Sequence, residues 1–382
     1  MIFWSKHFRF NISKELDPSK AMIMLNQTKR DFPIGSMVKS DIITDNTRAT
    51  SKKYRDFFYE RFEFTVFGNA LKWQDMEKEK DKIDFTHADN ALAVLSEKGI
   101  PVRGHCILWD VERHEPKWLL PMNRSDVIAQ VQKRMKYVIN HYKGKLPHWD
   151  VNNEQLHGDF FEKKTGDPDY LTKAFQMAHL FDPSVKLFTN DFNVVAGSGL
   201  TQAYVNLINR LKSTGAPISR IGTQNHYMSV PDITMVQHRL DLLATTGLPI
   251  WVTELDITVT DQDDKAEGYE NILRTFFAHP GVEGVMFWGF WDKDHWRPRA
   301  AIVEGDDFKL NKAGEVVTRL LKEEWATHDA MHPKAHSEAT TIRGFHGNYN
   351  ATVYYDGQVV SNSQFYLHKG KDLTITVNIT PN

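Results

Sequence analysis

Short apolar runs alternate with longer segments of helical periodicity through the middle of the chain. Each run is rich in β-branched and aromatic residues, which is typical of strands. The intervening segments, such as 89–99, 125–142, 204–215 and 269–281, place apolar residues three or four positions apart, which predicts amphipathic helices. The predicted strands are 32–38, 62–68, 102–108, 148–154, 186–191, 221–227, 250–256 and 284–289.

Capping residues mark where some of these helices begin and end. Gly99 predicts the end of the helix over 89–99, because glycine readily adopts the left-handed conformation that follows a helix. Ser125 is placed to cap the helix over 125–142. The charged run EKEKDK (77–82) predicts a solvated loop or helix face.

The two ends of the chain differ from the middle, because they alternate with period two. Runs 7–12 and 21–28 predict short strands, and 350–360 predicts a hairpin that turns at Asp356-Gly357. A further alternating run covers 363–379. We therefore expect residues 1–30 and 340–382 to form one small β-rich accessory unit, and the polar residues 329–339 to be a linker.

Eight strand–helix units over residues 31–328 predict an α/β fold, a (β/α)8 TIM barrel. A doubly wound open sheet is the alternative, but no glycine-rich phosphate-binding turn follows the first predicted strand.

Composition narrows the classes of partner. Hydrophobic residues make up 41% of the chain, and the formal net charge is −2. A globular protein is therefore expected, and no basic excess indicates a nucleic acid or an anionic membrane as partner. No apolar run is long enough to cross a bilayer. The 10 tryptophans offer flat surfaces of the kind that sugar-binding clefts use.

Cysteine usage and sequons bear on the compartment. Cys106 is the single cysteine, so no intramolecular disulfide can form. The first residues lack the apolar core of a signal peptide. Glycosylation sequons begin at Asn11, Asn26, Asn123, Asn350 and Asn378. We expect a secreted, monomeric glycoprotein whose signal peptide is not part of this sequence.

Titratable, amide and aromatic side chains stand where the predicted strands end. The C-terminal ends of barrel strands carry the catalytic groups of such folds, so these side chains should meet at one rim. They include Asn69, Lys72, His105, Trp109, Asn153, Asn190, Asp191, Gln224, His226, Asp256 and Trp288.

Two carboxylates, Glu154 and Glu254, are the sharpest feature of this rim. They stand at the C-terminal ends of the fourth and seventh predicted strands, which lie on different sides of the barrel mouth. A pair of carboxylates across a cleft is what cleavage of a glycosidic bond requires, one protonated and one ionised. The alternative is that each glutamate only makes a structural ion pair.

Six motifs in this order resemble those of glycoside hydrolase family 10, the retaining endo-β-1,4-xylanases. WDVNNE (149–154) and TELDI (253–257) resemble its acid/base and nucleophile signatures. The other four are NALKW (69–73), RGHCILW (103–109), TQNHY (223–227) and GVMFWGFWDKDHW (284–296). The resemblance covers residues 32 to about 325, and the terminal β segments resemble those of animal members.

The resemblance implies a role for each residue. Glu154 is the general acid/base and Glu254 the nucleophile of a double displacement. His226, with Asp256 behind it, orients Glu254, and Gln224 sits near Glu154. Residues implied to bind a polysaccharide substrate are Asn69, Lys72, His105, Trp109, Asn153, Trp288 and Trp296. No cofactor is implied.

Three departures from the family pattern bear on which glycan is the substrate. Gly68 stands where members usually carry a glutamate, Asp110 where a histidine is common, and Phe192 where a tyrosine is usual. None of them removes a catalytic carboxylate. Xylan is the expected substrate, with β-1,3-xylan, mixed-linkage glucan or cellulose as alternatives, and a catalytically impaired glycan-binding barrel as another.

A metal site is the remaining alternative chemistry. His105 and His226 could ligate a metal, and Glu154 with His157 has the spacing of a carboxylate-bridged metal motif. No HExxH motif or cysteine cluster accompanies them, so we expect no metal and no metal- or phosphate-using barrel enzyme.

Overall fold

The computed structural model describes residues 5–12, 17–197, 199–334, 340–370 and 373–377. Within these ranges the strands are β1 (Ser5–Ile12), β2 (Ala21–Arg30), β3 (Ile34–Val38), β4 (Phe64–Phe67), β5 (Val102–Gly104), β6 (Leu108–Trp109), β7 (His148–Asn153), β8 (Lys186–Phe192), β9 (Arg220–Tyr227), β10 (Ile250–Ile257), β11 (Val282–Phe287), β12 (Val303–Glu304), β13 (Lys309–Leu310), β14 (His328–Met331), β15 (Thr340–Phe345), β16 (Gly347–Tyr355), β17 (Gln358–Leu367) and β18 (Leu373–Val377).

The α-helices described are α1 (Ser40–Thr44), α2 (Ala49–Arg61), α3 (Trp73–Met76), α4 (Thr86–Glu97), α5 (Arg124–Tyr142), α6 (Phe160–Thr165), α7 (Tyr170–Phe181), α8 (Thr201–Ser213), α9 (Ile233–Ala244), α10 (Gln262–Ala278) and α11 (Lys312–Arg319). A π-helical turn, Leu320–Glu324, follows α11. Short 3-10 turns lie at Pro18–Lys20, Glu112–His114 and Pro298–Ala300.

Parallel strands from β3 to β11 close into a barrel, which confirms the predicted (β/α)8 fold. The hydrogen-bonded order is β5-β4-β3-β11-β10-β9-β8-β7-β6, and β5 also pairs with β7. β5 and β6 share one position, because Arg103 of β5 lies opposite His148 and Leu108 of β6 lies opposite Asn152. The barrel therefore has eight strand positions with helices between them, as the alternating pattern predicts.

Bulky side chains fill the barrel interior. They are Met37, Phe64, Val66, Phe188, Trp251, Met286 and Trp288. Gly104 makes room for one further ring, since a Cβ at this glycine would lie 2.3 Å from a ring carbon of Trp149. Burial of this much apolar surface is the main stabilising contribution to the barrel, and it holds the strand ends in place.

Two local predictions about helices and loops meet different outcomes. Gly99 has a φ of 67° and its N–H bonds the carbonyl of Ser96, so it ends α4 as predicted. The predicted cap at Ser125 is wrong. Asn123 caps α5, because its Oδ1 accepts the N–H of Asp126, and Ser125 only donates its hydroxyl to Asn123.

The charged run from 77 to 82 is not wholly solvated. Glu77 is 1% exposed and accepts hydrogen bonds from the indole of Trp73 at 2.8 Å and the hydroxyl of Tyr137 at 2.9 Å. Polar partners supplied by α3 and α5 satisfy this carboxylate, and sequence spacing does not reveal them.

Contacts divide the chain into two compact units, residues 34–314 and residues 1–33 with 315–382. In the second unit, β1 pairs with β15 and β18, and β2 lies between β14 and β16. This confirms an accessory β unit built from both chain ends. His328–Met331 forms a strand against β2, whereas the sequence predicts a linker over 329–339.

Alternation organises the core of the accessory unit. Along β2, Ala21, Ile23 and Leu25 are buried while Met24 and Asn26 are exposed, as a half-buried strand requires. The β16–β17 hairpin turns at Asp356-Gly357 as predicted, and both residues have positive φ, which is typical of a type I′ turn.

Candidate active site

Glu154 lies just beyond β7, at the C-terminal rim of the barrel. Its φ is 63°, a left-handed conformation that side chains other than glycine rarely adopt. Two backbone hydrogen bonds hold it there: its N–H donates to Asn190 at 2.8 Å, and its carbonyl accepts the N–H of His157 at 3.1 Å. Strain of this kind is common at functional positions.

Neutral donors hold the carboxylate of Glu154. The indole N–H of Trp109 donates to Oε2 at 2.8 Å, and the amide of Gln224 donates to Oε1 at 3.2 Å. Burial raises the pKa of Glu154 above its ordinary value, the Trp109 hydrogen bond opposes that rise, and the negative charge of Glu254 adds to it. This carboxyl group is therefore biased towards its protonated form.

Glu254 lies within β10 and has different neighbours. His226 Nε2 is 3.1 Å from Oε2, and the amide of Asn190 donates to Oε1 at 3.3 Å. The side chain of Glu254 is 5% exposed. The cationic ring and the amide donor hold the two oxygens of this side chain in place, as the role of a nucleophile requires.

Amide side chains connect the two carboxylates through hydrogen bonds. Asn153 Oδ1 accepts from Asn190 at 2.9 Å and from Gln224 at 3.2 Å, and those two donors also reach Glu254 and Glu154 respectively. Asn153 Nδ2 is buried and makes no hydrogen bond to another described residue. A buried donor left over beside two carboxylates is suited to an incoming hydroxyl group.

His226 is held between two acids. Its Nδ1 lies 2.8 Å from Asp256 Oδ2, on the side of the ring away from Glu254. Burial alone would lower the pKa of His226, but the charge of Asp256 and hydrogen bonds to both acids raise it to about 9. Burial likewise opposes the ionisation of Asp256, and the charge of His226 prevails and lowers that pKa.

Trp296 and Arg297 complete the surroundings of Asp256. The indole of Trp296 donates to Asp256 Oδ2 at 2.7 Å, and Arg297 lies 3.4 Å from Oδ1. Trp296 is 53% exposed, and the Arg297 guanidinium covers its ring at 4.2 Å.

A second group of predicted residues gathers around Trp109. Lys72 places its ammonium 4.8 Å from the centre of the Trp109 ring and donates to Asn69 Oδ1 at 3.0 Å. His114, which the sequence did not single out, stacks on Trp109 at 3.8 Å. This group offers a cation, an amide and an aromatic face to a ligand.

His105 and Trp288 are more deeply placed than the rest of the predicted set. His105 is 1% exposed, its Nδ1 lies 2.8 Å from Asp150 Oδ2, and its ring meets Trp288 edge-on at 5.4 Å. Trp288 is itself buried in the barrel core. Both lie beside the Trp109 group, since the rings of His105 and Trp109 are 6.4 Å apart.

The three departures from the family pattern have distinct surroundings. A Cβ at Gly68 would lie 3.1 Å from Met37 Sδ, so that place is lined by a methionine. Asp110 is buried, and burial raises its pKa to about 7. Phe192 stacks on His157 at 3.4 Å.

Sequence reasoning missed the hydrogen-bonding roles of Asn190, the indole N–H of Trp109, and His157 with Asp191. Asn190 and Asp191 stand in the same row of strand-end polar residues that pointed to the others, so that signal was available. For Trp109 the sequence predicts only an aromatic face that binds sugar, because spacing along the chain cannot show which way the indole N–H points.

Groups suited to metal binding are absent from the described parts of the chain. No cluster of three or more His, Cys, Asp or Glu side chains there could hold an ion. Likewise, among the helices described, none combines the length and hydropathy needed to cross a bilayer.

A parallel barrel with two differently held carboxylates at its mouth is the arrangement that glycoside hydrolases of the barrel class use. The family model of glycosyl hydrolase family 10 matches residues 24–314, and this chain belongs to that family.

Comparison with known proteins extends this assignment. The chain is 36% identical to endo-1,4-beta-xylanase 3 of Arabidopsis thaliana over 372 residues, which is 97% of this chain and 48% of that protein. It is 35% identical to the anti-sigma-I factor RsgI6 of Acetivibrio thermocellus, over 90% of this chain and 44% of that one. The chain thus spans about half the length of these relatives.

A solved structure shows the same fold. Xylanase 10B from Thermotoga petrophila RKU-1, in complex with xylobiose, superposes with a TM-score of 0.70 at 24% identity. The superposition covers 77% of this chain and 95% of that one.

Proposed function

We propose that this chain hydrolyses internal β-1,4 linkages of xylan by double displacement, with retention of configuration. Membership of family 10 and relatives named endo-1,4-beta-xylanase support the reaction class. The observation that carries the proposal is the difference between the two carboxylates. Glu154 is held by neutral donors and Glu254 by His226, within one hydrogen-bonded network.

In the first step Glu254 attacks the anomeric carbon while Glu154 donates its proton to the departing oxygen. The glycosidic bond breaks, and its electron pair goes to that oxygen. A glycosyl ester on Glu254 forms. Asn153 Nδ2, buried and unpaired among the described residues, is placed to donate to a hydroxyl of the sugar, and such a contact strengthens in the transition state.

In the second step Glu154, now ionised, takes a proton from a water molecule. The water oxygen attacks the anomeric carbon, and the ester electron pair returns to Glu254. His226 and Asp256 act as positioning residues, because they hold Glu254 in place without touching the sugar. Gln224 positions Glu154 in the same way.

Sugar binding before the cleavage point is assigned to the Trp109 group and its neighbours. Lys72 and Asn69 offer hydrogen-bonding groups, and Trp109 and the half-exposed Trp296 offer ring faces. His105 and Trp288 shape the floor of the cleft, since both are almost wholly buried.

Product analysis tests this proposal. Mass spectrometry after incubation with β-1,4-xylan should show xylooligosaccharides of mixed length, and NMR should show the β-anomer first. Incubation with β-1,3-xylan, mixed-linkage glucan and cellulose, each with and without EDTA, provides the comparison. Preferred cleavage of another glycan would make that glycan, rather than xylan, the substrate. An α-anomer as the first product would exclude retention. If none of these glycans is cleaved, the remaining interpretation is a barrel that binds glycans without hydrolysing them.

We further propose that the protein acts outside the cell, where its polysaccharide substrate is found. We propose that it does so as a glycosylated monomer. Sequons at Asn26 and Asn350 lie in strands of the accessory unit. Asn123 caps α5 through Oδ1, whereas a glycan would attach to Nδ2, which donates to the Asp126 carboxylate at 2.9 Å. Asn378 lies outside the described residues. Recovery of the protein from the culture medium tests secretion, and a mass shift after glycosidase treatment tests glycosylation. Light scattering tests whether the protein is a monomer.

A further inference from the structure

His157 is held rigidly beside the proposed acid/base by three contacts. Its backbone N–H donates to the carbonyl of Glu154, its Nδ1 lies 2.7 Å from Asp191 Oδ1, and its ring stacks on Phe192 at 3.4 Å with an interplanar angle of 15°. Asp191 is fully buried and also accepts the N–H groups of Leu156 and Phe192. The orientation of the His157 ring is therefore fixed before any ligand arrives.

The fixed orientation leaves one ring nitrogen available. Since Asp191 is a hydrogen-bond acceptor, Nδ1 carries a proton, and in the neutral ring Nε2 is left as an acceptor. The described contacts of His157 do not occupy Nε2, and the side chain is 19% exposed. His157 also lines a cavity of about 360 Å³ together with Asp110, Gly158 and Lys163.

The order of strands around the barrel fixes which side of the cleft this is. Asn69, Lys72 and His105 follow or extend β4 and β5, and Trp288 follows β11, so these residues occupy one contiguous arc. His157 follows β7, and Phe192 ends β8, on the arc beyond Glu154. Because the proposed function assigns the first arc to the sugar that stays on Glu254, the departing sugar is assigned to the second arc.

We propose that His157 determines specificity on the leaving-group side, with Nε2 binding a hydroxyl of the sugar that departs and Phe192 bracing the ring. This inference rests on the proposed glycosidase function. It assigns a sugar-binding role to a residue whose spacing from Glu154 resembled a metal motif, and it gives the aromatic ring of Phe192 a role that needs no hydroxyl.

Transfer to a sugar acceptor tests the proposal. 4-Nitrophenyl β-xylobioside forms the glycosyl ester without a sugar on the leaving side, and added xylobiose then competes with water for that ester. In transfer, an acceptor oxygen attacks the anomeric carbon, its proton goes to Glu154, and the ester electron pair returns to Glu254. Transfer and hydrolysis share these catalytic groups, so their ratio reports acceptor binding.

His157→Ala should lower the ratio of transfer to hydrolysis about tenfold, because water needs no contact with Nε2. His157→Gln, which keeps a hydrogen-bonding atom, should recover part of that ratio. His179→Ala, which removes an exposed histidine of α7, should leave it unchanged. Folding of each variant is followed by circular dichroism.

An unchanged ratio in a folded His157→Ala variant would overturn the proposal, as would a His157→Gln variant whose ratio is no higher than that of His157→Ala. So would an equal fall of transfer and hydrolysis, since that pattern assigns His157 to the placement of Glu154 alone. Failure of the wild-type protein to release nitrophenol would instead overturn the glycosidase function, and the role of His157 with it.

Discussion

The surroundings of Glu154 and of Glu254 differ in the kind of partner each offers. Around Glu154 the partners are an indole N–H and an amide, and burial raises its pKa. Around Glu254 the partners are an amide and His226, whose own pKa is raised to about 9. Two identical side chains thus have partners of different charge, and burial favours the protonated form of Glu154.

Because the partners of both carboxylates are already in place, the proposed division of roles between them exists before a substrate binds. The nearby charge of Glu254 raises the pKa of Glu154, and His226 compensates the charge on Glu254. Four substitutions test whether the two carboxylates differ in this way, and they follow in order of decreasing expected effect.

Glu254→Ala should lower the rate on xylan by about 10⁴-fold or more, because no ester can form without the nucleophile. Added azide should restore part of the rate by attacking the anomeric carbon in its place. Reducing-sugar release measures both effects. Glu267→Ala, an exposed glutamate of α10, is the control and should match the wild type. Retained activity in the Glu254 variant would remove it from the role.

Glu154→Ala should lower the rate on xylan by about 10² to 10⁴-fold, since proton transfer to the departing oxygen is lost. Substrates with acidic leaving groups need little protonation, so ester formation from a dinitrophenyl xylobioside should be far less affected. Burst kinetics separates the two steps. An equal loss for both leaving groups would contradict the assignment, and Glu97→Ala at the exposed end of α4 is the control.

His226→Gln should lower kcat on the order of 10²-fold, because Glu254 loses its positioning contact. It should also change how stability depends on pH. The pKa of His226 is raised from 6.5 to about 9 in the folded protein, so its contribution to the free energy of unfolding is fully present below pH 6.5. That contribution is lost as the pH rises through about 9.

Urea unfolding at a series of pH values measures the second effect. The difference in unfolding free energy between the wild-type protein and His226→Gln should shrink as the pH rises from about 6.5 to about 9. His238→Gln, which replaces an exposed histidine of α9, is the control and should show no such trend. A difference that stays constant across this range would mean that His226 is not charged in the folded protein.

The sequence alone predicts most of the barrel, because its signals are local. Apolar runs such as 250–256 lie inside the barrel, where burial leaves few other structures open to them, and Gly99 ends a helix by its own conformational freedom. Both signals are local. Glu154 and Glu254 could be identified because each stands near the C-terminal end of such a strand.

What sequence could not provide depends on contacts between distant parts of the chain. Glu77 is buried because Tyr137, 60 residues away, donates to it. Trp109 was recognised as a ring, but its N–H contact with Glu154 joins residues 45 apart. Such pairings follow from the closed barrel, which brings β6 beside β7, and no spacing rule along the chain contains them.

Trp109→Phe is the substitution with the smallest expected effect, because it removes one hydrogen-bond donor to Glu154 and keeps an aromatic ring. The hydrogen bond from Trp109 lowers the pKa of Glu154, so its loss should raise that pKa further. The alkaline limb of the kcat/KM profile, where the acid deprotonates, should then move to higher pH. We expect kcat to fall about tenfold or less, consistent with the loss of one hydrogen bond worth about 0.5–1.5 kcal/mol.

Trp118→Phe is the matched control, since its indole donates to the backbone carbonyl of Glu77 rather than to a catalytic group. It should leave the alkaline limb where it is in the wild-type protein. If Trp109→Phe moved that limb to lower pH, or did not move it, the indole would not be what holds the Glu154 carboxylate. The contrast between the two carboxylates would then rest on burial and on the charge of Glu254 alone.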